Sequence, residues 1–474
     1  CPTRVACRPT FTGIEFALIP IPGRRDRYTV TEGPDAGWPT PEPPHRINQI
    51  YLEPILFEKA DLIPEISIHC RSQFIDLEQN STGVVASIRD LDSGDVHRVV
   101  CEYLIGCDGG SSAVRKNIGR EFNGDAVWPR CQSSFIHSAE LIDLQQENRA
   151  WSTIALNPRR SGNVYAIDGK SLWIVHNYLR EDETDFESVD RDNSIKTILG
   201  VDNQFEYDIL AREDWFGRRL VADHFRKNRV FLCGDSAHIW VPYAGYGMNA
   251  GIADAVNLSW LLAARLNGWA PEHILDAYEI ERLPITEQVS HFVMNHTHEM
   301  VKRRRSVPEN IEAPGSDGNH IRQQLGRDVY ELNVQQYCAA GLNFGYFYTD
   351  SPIIAHETET PPAYTMSTFT PSTLPGCRLP HQYSDQGQSL YDLLGPEYTL
   401  LRLDSEVDVT NLSIAAKDRC CPLQILDFSS EYGNVGSTHP LVLVRPDQHV
   451  AWRGHSCPND ALSLIDHIRG CGAV

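Results

Sequence analysis

The stretch Arg229–Trp260, RVFLCGDSAHIWVPYAGYGMNAGIADAVNLSW, decides how this chain is read. Its apolar run Val230 to Cys233 has the pattern of a strand buried on both faces, and it ends on Gly234-Asp235. In an open parallel sheet ligands collect beyond that carboxyl end, where a carboxylate can accept hydrogen bonds from ligand hydroxyls. Gly245 and Gly247 then permit close backbone approach. The N–H groups of Gly247, Met248 and Asn249 open a helix that runs to Leu266, with Ile252, Ala253, Val256, Trp260, Ala263 and Ala264 at helical spacing. The positive end of such a helix suits an anionic ligand atom. Gly245-x-Gly247-x-x-Ala250 also has the form of a dinucleotide fingerprint, but about ten residues separate it from the strand that the fingerprint needs directly before it.

Working outward, Val99 to Gly106 reads as a second strand buried on both faces, followed by Cys107-Asp108-Gly109-Gly110-Ser111-Ser112-Ala113-Val114-Arg115. Taken alone, that segment is an Asp-Gly turn capped by Ser. The spacing between Arg46 and Lys59 predicts a helix from about Glu53, while Ile66 to His69 and Val84 to Ile88 alternate as strands. Asp168-Gly169 joins Val164–Ile167 to Leu172–Val175 as a hairpin, within a strand-like region from Trp128 to Leu220. The first 45 residues are rich in Pro and Gly and predict surface loop around one strand, Gly13 to Ile21. The run Lys302-Arg303-Arg304-Arg305 predicts a solvated helix end. From about Pro371 a βα alternation, closing on Leu441–Val444 and a helix from Asp460, predicts a separate C-terminal domain.

The 42 basic against 63 acidic residues leave a net charge of −21, which opposes nucleic acid or an anionic membrane as main partner. No apolar run reaches the roughly 18 residues of a membrane span. The thirteen Cys are scattered, without the regular spacing of a secreted disulfide scaffold, so a reducing compartment such as the cytoplasm is expected. His291, His296 and His298 lack a carboxylate or Cys set at metal spacing and read as a polar helix face, so no metal is expected. No G-x-S-x-G elbow supports a serine hydrolase. The chain opens on Cys1 without a Met, which reads as truncation rather than an acylated lipoprotein Cys, since no signal segment accompanies it.

The Arg229–Trp260 segment is similar to the G-D motif of the class A flavoprotein aromatic hydroxylases, the family of p-hydroxybenzoate and phenol hydroxylases. The resemblance implies that Asp235 holds the ribityl chain of FAD, that Gly247, Met248 and Asn249 face the flavin pyrimidine, and that Pro242 lies at the reacting edge, with Gly245 a further cofactor-binding candidate and Tyr243 a second catalytic one. This chain writes Ala244-Gly245 where many members have Gly-Gly. Cys107–Arg115 resembles the family's D-G motif, which assigns Asp108 and Arg115 to the pyrophosphate region and the approach of NAD(P)H, with Cys107 where Ala is commoner. Pro41–Gln49 is a third match and makes Arg46 and Gln49 FAD contacts. The block from Pro375 to Arg453 resembles the thioredoxin-like domain appended to phenol hydroxylases, without a redox C-x-x-C, since Cys420 and Cys421 are adjacent.

The implied fold is α/β with α+β features. A Rossmann-like FAD/NAD(P)-binding domain (1–127 and 221–300) is interleaved with a substrate-binding β-sheet domain (128–220), then a helical connection (301–370) and a thioredoxin-like domain (371–474). The family's opening strand, G-x-G-x-x-G turn and helix find no counterpart in residues 1–45, so the cofactor-binding domain is expected to be N-terminally incomplete, with an exposed sheet edge and weakened FAD binding. The implied activity is hydroxylation of an aromatic, phenolic substrate, using FAD, NAD(P)H and O₂, with a homodimer as one assembly. Tyr165, Trp173, His176 and Tyr243 are pocket candidates. Two other readings stay open: a non-catalytic relative that keeps the fold, and a flavin halogenase or reductase, although no W-x-W-x-I-P motif is present.

Overall fold

The computed structural model describes residues 4–145, 149–428 and 435–472; Cys1, and the reading of it, lies outside them. An eight-stranded sheet dominates, in the order His238–Ile239, Asp208–Ala222, Phe122–His137, Leu172–Tyr178, Gly162–Ala166, Ser152–Ala155, Val5–Arg8 and Ala17–Ile19. All neighbours are antiparallel except Val5–Arg8, which runs parallel to Ser152–Ala155. Residues 5–19, placed by the sequence with the cofactor-binding part, therefore extend the large sheet. The Asp168-Gly169 hairpin forms as expected, with the Asp168 carboxylate accepting the N–H groups of Lys170, Ser171 and Leu172.

Strand alternation sorts this sheet into two faces. Phe11, Ile136, Val164, Trp173 and Val175 pack against the helix Arg191–Leu199 on one side. Tyr165, Ile174, His176 and Tyr178 point to the other.

A smaller sheet carries Arg226–Lys227, Val230–Leu232 and Leu104–Gly106, the last two parallel. The expected single strand over 99–106 is not formed. Val96–Cys101 instead pairs with Val84–Asp90 in a separate meander completed by Ser72–Gln79, leaving Val100 77% exposed. The break falls at Glu102-Tyr103, where Tyr103 turns to donate to Glu272. Ile66 to His69 alternates without a partner and stays outside any strand; the strand begins at Ser72. The expected helix spans Gln49–Asp61. Among the described residues nothing pairs with the free edge of Leu104–Gly106, and Ile105, Met248, Ile252 and Val256 are exposed.

Two helices join the units. Tyr246–Leu266 buries Leu258, Leu261 and Ala264 in the core of the small sheet, with Asp254 buried one turn before Leu258. Asp276–Arg305 runs from that sheet to the large one, carrying Glu281 and Arg282 near its start and His296 and Arg304 near its end. The C-terminal unit is a four-stranded sheet, Leu423–Asp427, Tyr398–Arg402, Leu441–Val444 and Val450–Gly454, flanked by Thr410–Asp418 and Ala461–Ile468. It docks through a fully buried pair in which Arg445 Nη1 and Nη2 donate to Glu281 at 2.6 and 2.8 Å.

Candidate functional site

The parallel strands Leu104–Gly106 and Val230–Leu232 bring the Cys107-Asp108 and Gly234-Asp235 turns side by side. Arg115 ties the turns together: its guanidinium donates to the Ser236 carbonyl (3.0 Å) and the Gly110 carbonyl (3.1 Å) and lies over the Phe122 ring. Asp108 is occupied as a cap, accepting the Ser112 hydroxyl and the N–H groups of Ala113 (2.7 Å) and Val114 (3.0 Å).

Beneath the second turn lies a polar cluster that the motif reading left out. Asp254, 0% exposed, accepts from Gly234 N–H (3.2 Å), His238 Nε2 (2.7 Å) and Arg282 Nε (2.8 Å). Burial alone would raise the Asp254 carboxyl, but His238 and Arg282 outweigh it and hold it below the ordinary carboxylate range. The sequence signal for this residue is an Asp at helical spacing between Ala250 and Leu258, on the buried face of its helix.

Asp235 itself is exposed and makes no hydrogen bond among the described residues. It faces a cleft of about 1360 Å³, together with Gln49, Gly110, Arg115, Trp240 and Pro242. Gln49 sits at the start of its helix and donates to Glu53. Gly245 caps the Tyr246–Leu266 helix with φ +59°, and at Gly245 and Gly247 a Cβ would meet nothing within 4 Å, so the helix start is open to a ligand. Met248 and Asn249 are exposed in that first turn, and the Asn249 amide donates to the Gly245 carbonyl (2.8 Å). An unpaired carboxylate for hydroxyls, beside a helix N-terminus cleared of side chains, fits the ribityl and pyrimidine parts of a flavin.

A second cavity, of about 660 Å³, lies beyond Pro242 and shares Pro242, Ile174 and His176 with the cleft. Trp151, Tyr165, Tyr178, Tyr243 and Tyr337 line it. Arg46 belongs here rather than in the cleft, its guanidinium held by Asp35 (3.6 Å) and the Tyr337 carbonyl (2.8 Å). Trp173, expected in the pocket, is on the opposite face, 1% exposed, donating to the Ser138 carbonyl.

Arg304 contradicts the reading of 302–305 as solvated. Its guanidinium donates to Tyr243 Oη (2.6 Å) and Asn163 Oδ1 (3.2 Å) and sits 3.8 Å from the Tyr178 ring centroid. No carboxylate among the described residues pairs with it. Burial works against its charge, but the surrounding Tyr243 and Tyr178 oxygens outweigh that and keep it protonated. His296, expected on a polar face, is buried against Tyr243. The spacing His296, Met300, Arg304 puts all three on one helix stripe, and that was the available signal.

Opposite, Trp215 Nε1 donates to Ser133 Oγ (2.8 Å), and Ser133 lies 2.6 Å from His176 Nδ1. Since indole only donates, the Ser133 proton is assigned toward Nδ1, leaving His176 Nε2 as a donor. Burial, with Arg304 adding to it, pushes His176 and His296 down to about 4. Both rings are neutral at pH 7. The unfolded chain takes up these protons near pH 6.5, the native protein only near 4, so stability is expected to fall as pH drops through that window. Thermal melts at pH 7.5 and 5 check this; His176→Phe and His296→Phe should each reduce the difference.

Among the described residues no helix is long and apolar enough to cross a membrane, and no cluster could hold a metal. The profile of the FAD binding domain family matches residues 30–293, and that of the aromatic-ring hydroxylase C-terminal domain matches 372–469. The chain is 28% identical over 453 residues to the FAD-dependent monooxygenase apdD of Emericella nidulans, covering 91% of this chain and 72% of that one. It is 27% identical over 456 residues to the tetracenomycin A2 monooxygenase-dioxygenase of Streptomyces glaucescens, covering 90% and 75%. Among solved structures, the rebeccamycin biosynthetic enzyme RebC with reduced flavin superposes with a TM-score of 0.88 at 29% identity, over 99% of this chain and 86% of that one.

Proposed function

This chain belongs to the FAD-dependent aromatic hydroxylases, and we propose that it hydroxylates an electron-rich, phenolic ring held in the aromatic cavity, with NAD(P)H as reductant and O₂ as the oxygen source. The observation that carries the reading is the sharing of Pro242 between two cavities, one offering the free carboxylate of Asp235, the other setting the open helix start at Gly245 and Asn249 against a wall of aromatic rings. Bound FAD would supply the redox chemistry, passing reducing equivalents from the nicotinamide to O₂ and one oxygen atom to the ring. Asp235 would accept hydrogen bonds from the cofactor's ribityl hydroxyls, and the N–H groups of Gly247, Met248 and Asn249 would face its pyrimidine carbonyl. Arg115, bridging the two turns, would fix their separation.

In the aromatic cavity, Tyr243 accepts from Arg304 and so keeps its own proton free to donate to a substrate oxygen. The positive charge of Arg304 behind it favours an oxygen that carries negative charge, as a phenolic oxygen does when electron density is pushed into the ring. Neutral His176, with Nε2 as a donor, is placed to hold a second polar group.

Flavin fluorescence titration tests cofactor binding, and Asp235→Ala is expected to weaken it by about 10- to 100-fold, the worth of hydrogen bonds to a charged group. Oxygen uptake with NADH or NADPH and a panel of mono- and polycyclic phenols, with product mass read for one added oxygen, tests the reaction. Flavin binding without substrate-dependent NAD(P)H oxidation on any phenol would support the non-catalytic reading instead.

A further inference from the structure

The two turns that meet at the cleft each begin on a cysteine, and neither thiol has a part in the activity described above. In the parallel pairing, Leu232 is level with Gly106, so the next residues, Cys233 and Cys107, are neighbours across the two chains. The Cys233 N–H donates to the Gly106 carbonyl (3.0 Å), which keeps the register through this point. Adjacent strands lie about 4.8 Å apart, inside the Cα separation that a disulfide spans without backbone movement. The settings of the two thiols differ: Cys107 is exposed, whereas Cys233 is buried, with its sulfur directed to the Gly251 carbonyl of the Tyr246–Leu266 helix at 3.8 Å.

We propose that Cys107 and Cys233 form a peroxide-oxidisable dithiol, with Cys107 as the attacking sulfur and Cys233 as the resolving one. The proximity of Cys233 lowers the Cys107 thiol below its ordinary value, and the proximity of Cys107 together with burial raises Cys233, which matches this division of roles. The Cys107 thiolate attacks one oxygen of hydrogen peroxide; the O–O bond breaks, hydroxide leaves and is protonated to water, and Cys107 becomes a sulfenic acid. The Cys233 sulfur then attacks the Cys107 sulfur, its proton leaves with the hydroxyl as a second water, and the S–S bond closes. The two sulfurs together lose two electrons and the peroxide oxygens gain them. The bridge would staple the Asp108 turn to the Asp235 turn and break the Cys233 contact with Gly251, so the oxidation state would bear on how the cleft receives its cofactor.

Mass spectrometry of the whole chain tests this without any turnover, and so independently of the proposed reaction. After brief exposure to hydrogen peroxide and alkylation of remaining thiols, a non-reducing digest is expected to contain a Cys107–Cys233 linked peptide that dithiothreitol dissolves. In Cys233→Ser, dimedone is expected to label Cys107 at least about tenfold faster than the exposed Cys70, Cys420 and Cys471. Flavin titration of the oxidised and reduced wild type is expected to give different affinities. Absence of the linked peptide, or labelling of Cys107 no faster than of the other exposed cysteines, would overturn the proposal.

Discussion

Replacing Asp254 by Ala is expected to lower the unfolding free energy by about 3–5 kcal/mol, because it strands two buried donors at once. Arg282 is 2% exposed and His238 1%, and each directs a ring or guanidinium nitrogen at Asp254. Removing the carboxylate leaves the Arg282 charge in a dry interior and frees the Gly234 N–H that fixes the Asp235 turn. Asp254→Asn keeps the shape and one acceptor and should lose less. Urea unfolding followed by fluorescence measures the difference; a loss below about 1 kcal/mol for the Ala variant would mean that water or a rotamer change satisfies the donors. Flavin affinity, measured on whatever fraction stays folded, should fall in the same order.

Arg304→Met is expected to cut kcat/KM by about 10- to 100-fold and to lower stability by only about 1–3 kcal/mol. The two halves have separate causes. The guanidinium is stacked on Tyr178 and donates to Tyr243 and to buried Asn163, so an apolar side chain of similar length loses the stacking and leaves the Asn163 oxygen without this donor. The same charge backs the hydrogen bond that Tyr243 would offer to substrate, and a hydrogen bond supported by a charge contributes about 1.5–3 kcal/mol. A third readout separates a positioning role from a merely structural one. Arg304 contributes to the depression of both His176 and His296, so their titrations, followed by NMR, should move upward in the variant. An unchanged kcat/KM together with a large loss of stability would assign Arg304 to the core instead.

The local geometry around the Asp235 turn was legible in the sequence because it is written in contiguous motifs. Val230–Leu232, the Gly234-Asp235 turn and the Gly245 cap follow one another along the chain, and their geometry is set by residues a few positions apart. The aromatic cavity was only half legible. Trp173 and His176 cannot share a face of one strand, since their separation is odd, and that parity already excluded one of them. Arg304 was invisible to composition because a charge run says nothing about where a long helix delivers its last turn. Val99 to Gly106 misled for a related reason: an apolar run cannot reveal that the chain changes sheets at Tyr103. Ile66 to His69 has the alternation of a strand, but no neighbouring strand offers it a ladder.

The Asp276–Arg305 helix places Arg282 under the Gly234-Asp235 turn and Arg304 behind Tyr243, about 33 Å apart along its axis at about 1.5 Å per residue. A rigid rod of that kind fixes angular phase as well as distance. One residue inserted between Arg282 and His296 would rotate everything beyond it by about 100°, taking His296 and Arg304 away from Tyr243 together. Point substitutions can retune the aromatic cavity one group at a time, but a change of length inside this helix would uncouple the two cavities in a single step. Insertions meant to enlarge the substrate space therefore belong in the loop after Arg305, where they leave that phase intact.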